Sequence, residues 1–254
     1  MAAPTLLQPA GDARDLGPVD RPDAWRWLAT AVGGYVMGTV AALVLATIGA
    51  AIAGTPGGVS ALSKAPEPPV WFVAVGLIGL WAGMGGAAKV VTLSGRHLGF
   101  VFRPTDVCFV ALGPALQVVI YLCYQPFHPQ NFSKPVNSLL GGGSGWLLAI
   151  PAVMAIFFVP VFEELFFRGV ILRAFLVLSA SRVAVVGIVV SVVLDGALFG
   201  LAHLGNDSWV QLPGLAFVGV VLAALAVRTG RLGPSIVTHA SFNALAVLAF
   251  AAQR

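Results

Sequence analysis

Polar side chains in this sequence are gathered into short intervals, and between them run long stretches with almost no charge. About 20 apolar residues are needed to cross a hydrocarbon core of roughly 30 Å. Windows of that kind lie at 25–53, 70–91, 106–123, 146–162, 183–203, 209–227 and 234–251, which predicts an all-α, polytopic transmembrane helix bundle of seven spans. One more apolar stretch, 165–180, "LFFRGVILRAFLVLSA", carries Arg168 and Arg173 and has three readings: a continuation of the fourth helix, an interfacial arm, or a short eighth span. Breaker-rich segments separate the windows, among them "GTPGGVSALSKAPEPP", "QPFHPQNFSKPVNSLLGGGSG" and "HLGNDS". Gly34 with Gly38, and Gly79 with Gly83, have the spacing that lets transmembrane helices approach closely.

The composition agrees with this pattern. Hydrophobic residues make up 58% of the chain and charged residues 9%, against about 25% charged in an ordinary soluble domain. The segment 1–24, with four prolines and four aspartates and no continuous apolar core, reads as a disordered cytosolic tail rather than a signal peptide. With that tail inside, eleven of the fourteen Lys and Arg residues fall on the cytosolic face, leaving Lys64, Lys134 and Arg254 outside. An eighth crossing would move Arg182, Arg228 and Arg231 outside, so the bias favours seven. Basic residues flank apolar runs and are not interleaved with aromatics, which suits a lipid bilayer and gives no sign of nucleic acid. Cys108 and Cys123 share one span about 22 Å apart, too far for a disulfide and at no metal-binding spacing.

Three acids remain inside apolar segments: Glu163, Glu164 and Asp195. A charge near the bilayer centre costs roughly 2.5–3.5 kcal/mol or more, so each is a candidate for function. In "FEELFFRG", Glu164 and Arg168 are four apart, share a helix face and can pair. Glu163 is turned about 100° away and has no partner in its own helix, which suits a general base. Downstream, "LDGALFGLAH" ends on His203, with Phe199 one turn earlier, and "SIVTHASFNAL" sets His239 and Asn243 on one face.

These three elements, "EELFFR", "FGLAH" and "HASFN", resemble the EExxxR, FxxxH and HxxxN motifs of the CPBP family, also called Abi or CAAX-protease-like intramembrane proteases, which includes the type II CAAX prenyl endopeptidases. The resemblance covers roughly residues 145–250. It divides the chain into the tail 1–24, N-terminal transmembrane helices over 25–144 and a catalytic helical core over 145–254. It implies an intramembrane endopeptidase acting on membrane-associated peptides or proteins. Glu163, helped by His203, would activate a water. His239 and Asn243 would donate to the oxyanion, a contribution of roughly 3–4 kcal/mol per donor in other proteases. Glu164 with Arg168 would hold Glu163 in register. Asp195 stands where a small or hydroxyl residue is expected, as a partner for a histidine or an acid facing a polar cavity.

A second assignment makes Glu163, His203 and His239 ligands of Zn2+ with an open position for water. The HExxH spacing is absent, so the residues leave the cofactor open between Zn2+ and none, with a glutamate-activated water preferred. Two rival functions remain: a transporter or proton relay, and a non-catalytic adaptor or immunity-type protein on the same scaffold. Helix arithmetic also leaves Glu163 and His203 about 10 Å out of level, which tilt, a kink at Gly196 or Gly200, or a bent arm after Gly169 would remove.

Overall fold

A computed structural model describes residues 21–65, 68–93, 98–127, 140, 148–179, 184–204 and 209–252. Among the described residues the chain is helical and has no strand. Among the described residues, seven helices are long and apolar enough to cross a membrane: α1 (Arg21–Ile52), α3 (Val70–Leu93), α4 (Pro104–Tyr124), α5 (Ala149–Leu178), α6 (Ala184–Leu201), α7 (Trp209–Thr229) and α8 (Gly233–Ala251). The short α2 (Gly58–Lys64) follows the first of them. The chain is therefore a polytopic membrane bundle, as the spacing of apolar windows predicts.

The ambiguous stretch continues the fourth span as far as Leu178: α5 covers 30 residues, from Ala149 to Leu178. The N-terminal boundary also differs from the expected one. Residues 1–20 of the expected tail lie outside the described residues, but Arg21–Ala24 already belong to α1. Pro22 fits a first helical turn because its missing N–H would have no intrahelical partner there, and Asp23 meets the positive end of the helix dipole. Pro104 and Pro234 open α4 and α8 in the same way, and Pro213 stands at the start of the regular α-helical part of α7, Leu212–Thr229. Gly230 closes α7 in the left-handed conformation, at φ 69°.

Two glycine-lined seams bring backbones together. Along α1 and α3, a Cβ added at Gly34 would meet the Gly83 carbonyl oxygen at 2.6 Å, and one at Gly79 would meet the Ala42 nitrogen at 2.5 Å. This is the close approach that the glycine spacing predicts. Along α6 and α7, a Cβ at Gly196 would meet the Val220 nitrogen at 2.6 Å, and one at Gly219 would meet the Gly196 Cα at 2.8 Å. Helix α8 packs against α4 and α5, and the end of α5 reaches α1. The main core cluster joins Trp27 and Ala31 of α1, Met84 and Val91 of α3, Phe166 and Phe167 of α5, and Phe199 of α6.

A polar clasp fixes the turn between α7 and α8 to the start of α4. Buried Asp106 accepts from the Arg103 backbone N–H at 2.9 Å and from Arg231 Nη1 at 2.6 Å. The two cysteines are both exposed and unbridged.

If the α1–α3 seam depends on absent side chains, Gly83→Val should destabilise the bundle by about 1–3 kcal/mol, the range typical of overpacking. Gly76, on the same helix but with nothing within 4 Å of an added Cβ, supplies the control. Thermal unfolding in detergent should separate the two variants, Gly76→Val staying at the wild-type midpoint.

Candidate active site

Helix α5, which supplies the acids, is not a regular α-helix. It holds two π-helical stretches, Met154–Phe158 and Leu165–Ile171, on either side of Val159–Glu164. In the first, the N–H of Val159 reaches back five residues to the Met154 carbonyl. The next residue, Pro160, has no N–H to continue that register, so its partner in the π pattern, the Ala155 carbonyl, is left for another donor. Asn243 of α8 supplies it, its Nδ2 donating to Ala155 O at 2.8 Å. One N–H of the Asn243 amide is thereby committed to holding α8 against α5, and the second remains for other work. The second π stretch contains Arg168, whose whole side chain is turned into the bundle.

Arg168 is the centre of the buried polar cluster. Its Nη1 donates to Glu164 Oε1 at 3.0 Å and its Nη2 to the Gly219 carbonyl at 2.9 Å. The Nε lies 3.3 Å from Asp195 Oδ2, an ion pair without an aligned hydrogen bond. All three side chains, Glu164, Arg168 and Asp195, are fully buried. The guanidinium carbon also stands 4.5 Å from the centroid of the Phe199 ring and 5.7 Å from that of Phe167. The cation–π geometry adds stabilisation where water is excluded. Asp195, expected beside a histidine or a polar cavity, pairs instead with the arginine.

His239 joins this cluster from α8. Its Nδ1 lies 3.0 Å from Glu164 Oε1, the same oxygen that Arg168 bonds. An ionised carboxylate only accepts, so Nδ1 carries the proton and donates. The other ring nitrogen, Nε2, faces Glu163 Oε2 at 3.7 Å. That Glu163 oxygen has no hydrogen-bond partner among the described residues.

His203 approaches from the end of α6. Its Nδ1 is 2.8 Å from the Phe199 carbonyl oxygen, and its ring centroid is 5.0 Å from that of Phe199. The Phe199 ring also touches His239, centroids 5.6 Å apart. Phe199 thus stands between the two histidines and over the arginine.

The structure brings Glu163, Glu164, Arg168 and His239 into one contact network, joins Asn243 to α5 through backbone, and reaches His203 through an aromatic ring. Among the described residues, no group of three or more His, Cys, Asp or Glu side chains is arranged to hold a metal ion. The Zn2+ set of Glu163, His203 and His239 is therefore not assembled by this donor geometry. Sequence reasoning missed the Gly219 and Ala155 carbonyls, because backbone acceptors leave no signature in residue identity. Pro160 was the available signal for Ala155.

Removing Arg168 would leave two buried carboxylates without their counter-charge, a change that typically costs about 3–5 kcal/mol. Arg168→Met should accordingly lower the unfolding midpoint in detergent far more than Arg26→Met, at a side chain that is 78% exposed. Equal midpoints for the two variants would show that the buried ion cluster contributes little.

Residues 145–245 match the family described as type II CAAX prenyl endopeptidase, Rce1-like. The chain is also 29% identical over 157 residues to the uncharacterised protein YyaK of Bacillus subtilis (strain 168). That match takes in 58% of this chain and 46% of the relative, so the chain is aligned with about half of YyaK's length. No solved structure matches the chain. All three motifs and the buried cluster fall within the stretch from 145 to 245 that is similar to the Rce1-like family.

Proposed function

We propose that the chain is an intramembrane endopeptidase that hydrolyses membrane-associated peptides with a water activated by Glu163 and His239. The observation that carries this reading is the approach of Glu163 Oε2 and His239 Nε2 to 3.7 Å inside the bundle; with the imidazole neutral and its proton on Nδ1, both atoms are acceptors. Two atoms that both offer lone pairs favour a hydrogen-bond donor shared between them. The two O–H bonds of one water reach acceptors about 4 Å apart at ordinary hydrogen-bond lengths. A water held in that way presents its oxygen lone pair outward, toward a substrate carbonyl.

In the reaction Glu163 takes one proton as the water oxygen bonds to the carbonyl carbon. The oxyanion then draws on the free N–H of Asn243. The protonated Glu163 returns its proton to the departing amine as the C–N bond breaks, leaving a carboxylic acid and an amine. His239 differs here from the role implied by family resemblance: with Nδ1–H given to Glu164, its Nε2 accepts from the water rather than donating to the oxyanion. Glu164 orients His239 and is itself fixed by Arg168. His203 is tied to the Phe199 carbonyl and stands across the Phe199 ring from His239. The N-terminus lies in the cytosol, on the charge bias of the loops.

Purified protein incubated with membrane-anchored peptides tests the reading by the appearance of new peptide ends. Glu163→Gln and His239→Ala should each reduce turnover by about 10²–10⁴-fold, the usual contribution of a positioned acid or base. Flux in proteoliposomes without new ends would identify a transporter. Binding of a membrane partner that survives Glu163→Gln, again without cleavage, would identify an adaptor.

Because the donor set does not converge on a metal position, the peptidase should keep its turnover after dialysis against a chelator. Loss of activity that Zn2+ restores would assign the chemistry to a metal and overturn the glutamate-activated water.

A further inference from the structure

The segment matched by the Rce1-like family begins at residue 145, yet one polar side chain from α1 reaches the end of α6. Tyr35 directs its ring toward Phe166, with centroids 6.2 Å apart, and its hydroxyl donates to the Ala202 carbonyl at 3.4 Å. Phe166 lies three residues after Glu163 on α5, and the Tyr35 hydroxyl is within electrostatic reach of the Glu163 carboxylate. Ala202 immediately precedes His203. One side chain of the first span therefore touches the surroundings of both the acid and the second histidine.

The local backbone explains why a donor is wanted there. Helix α6 ends at Leu201, and its last turn tightens: the Ala202 N–H bonds to Leu198 O at 2.9 Å, and the His203 N–H to Gly200 O at 3.1 Å. Carbonyls beyond the last intrahelical donor need an outside partner. Tyr35 provides one for Ala202. The imidazole of His203 is itself held by Phe199 O, while Tyr35 holds the backbone carbonyl just before it. Its orientation thus depends on two anchors, one within α6 and one supplied by α1.

We propose that Tyr35 is a positioning residue of the site, holding the end of α6 so that the His203 ring keeps its place against Phe199. The functional part of this proposal rests on the peptidase reading above. It makes α1 part of the reactive unit, although α1 lies outside the matched segment. The hydroxyl is the operative group, because the ring packing on Phe166 is available equally to phenylalanine.

Tyr35→Phe in the full-length protein is the test. Cleavage of a membrane-anchored peptide should fall about 5–10-fold in kcat with KM unchanged, while the unfolding midpoint stays at the wild-type value. In a His203→Ala background the same substitution should have no added effect, since coupled residues are non-additive. Ring ¹⁵N shifts of labelled histidines in detergent micelles give a second readout that needs no turnover: the His203 signals should move and those of His239 should not. Unchanged His203 signals would overturn the proposal, as would full additivity with His203→Ala. If wild-type protein cleaves no peptide, the peptidase reading fails, whereas the ¹⁵N shifts still decide whether Tyr35 holds His203.

Discussion

The bundle is organised around a single buried guanidinium. An arginine in a membrane interior is tolerable only when protein groups meet its charge, since no water is available to do so. Arg168 finds two carboxylates, Glu164 and Asp195, one backbone carbonyl, Gly219, and the face of Phe199. Those partners come from α5, α6 and α7, so satisfying one side chain fixes the mutual positions of three helices. The seam between α6 and α7 is part of the same requirement: with a side chain at Gly196 or Gly219 the two backbones would separate.

A second constraint acts through irregular backbone. Pro160 interrupts hydrogen bonding in α5 just after a π turn and frees a carbonyl that would be costly if unmet in lipid. Asn243 satisfies it from α8, and His239, four residues earlier on the same face, is thereby delivered to Glu164. The proline, the asparagine and the histidine form one device. The proline creates the vacancy, the asparagine fills it, and filling it sets the depth at which the imidazole meets the acids.

The apolar windows made the seven spans legible because lipid leaves few alternatives to a helix of that length. The Glu164–Arg168 pair was equally readable, as i,i+4 geometry survives even where a π stretch begins. What stayed hidden was any contact between distant segments made through backbone or an aromatic face: Arg168 with Gly219, Asn243 with Ala155, and Phe199 over the guanidinium. The arithmetic that set Glu163 and His203 out of level assumed regular helices. It could not anticipate the two π stretches in α5, or that His239 would be the histidine in contact with Glu163. Asp195 looked like a partner for a histidine because histidines were the visible candidates. The arginine, already paired in its own helix, still had an unused face.

Two adjacent glutamates with identical chemistry are made unequal by this arrangement. Glu164 is fully buried, and a single oxygen of it accepts from both Arg168 and His239. Such a group is held rigidly within the cluster. Glu163, one residue earlier and rotated toward the rim, keeps 12% of its side chain exposed and makes no hydrogen bond through Oε2. It borrows the rigidity of its neighbour while its own Oε2, buried within the bundle, is left without a hydrogen-bond partner among the described residues. Exchanging the two roles would require rotating α5 by about 100°, which would pull Arg168 from Gly219 and Asp195. The buried cluster thus supports the fold and, in the same geometry, leaves one of the two acids outside the arginine's ion pairs.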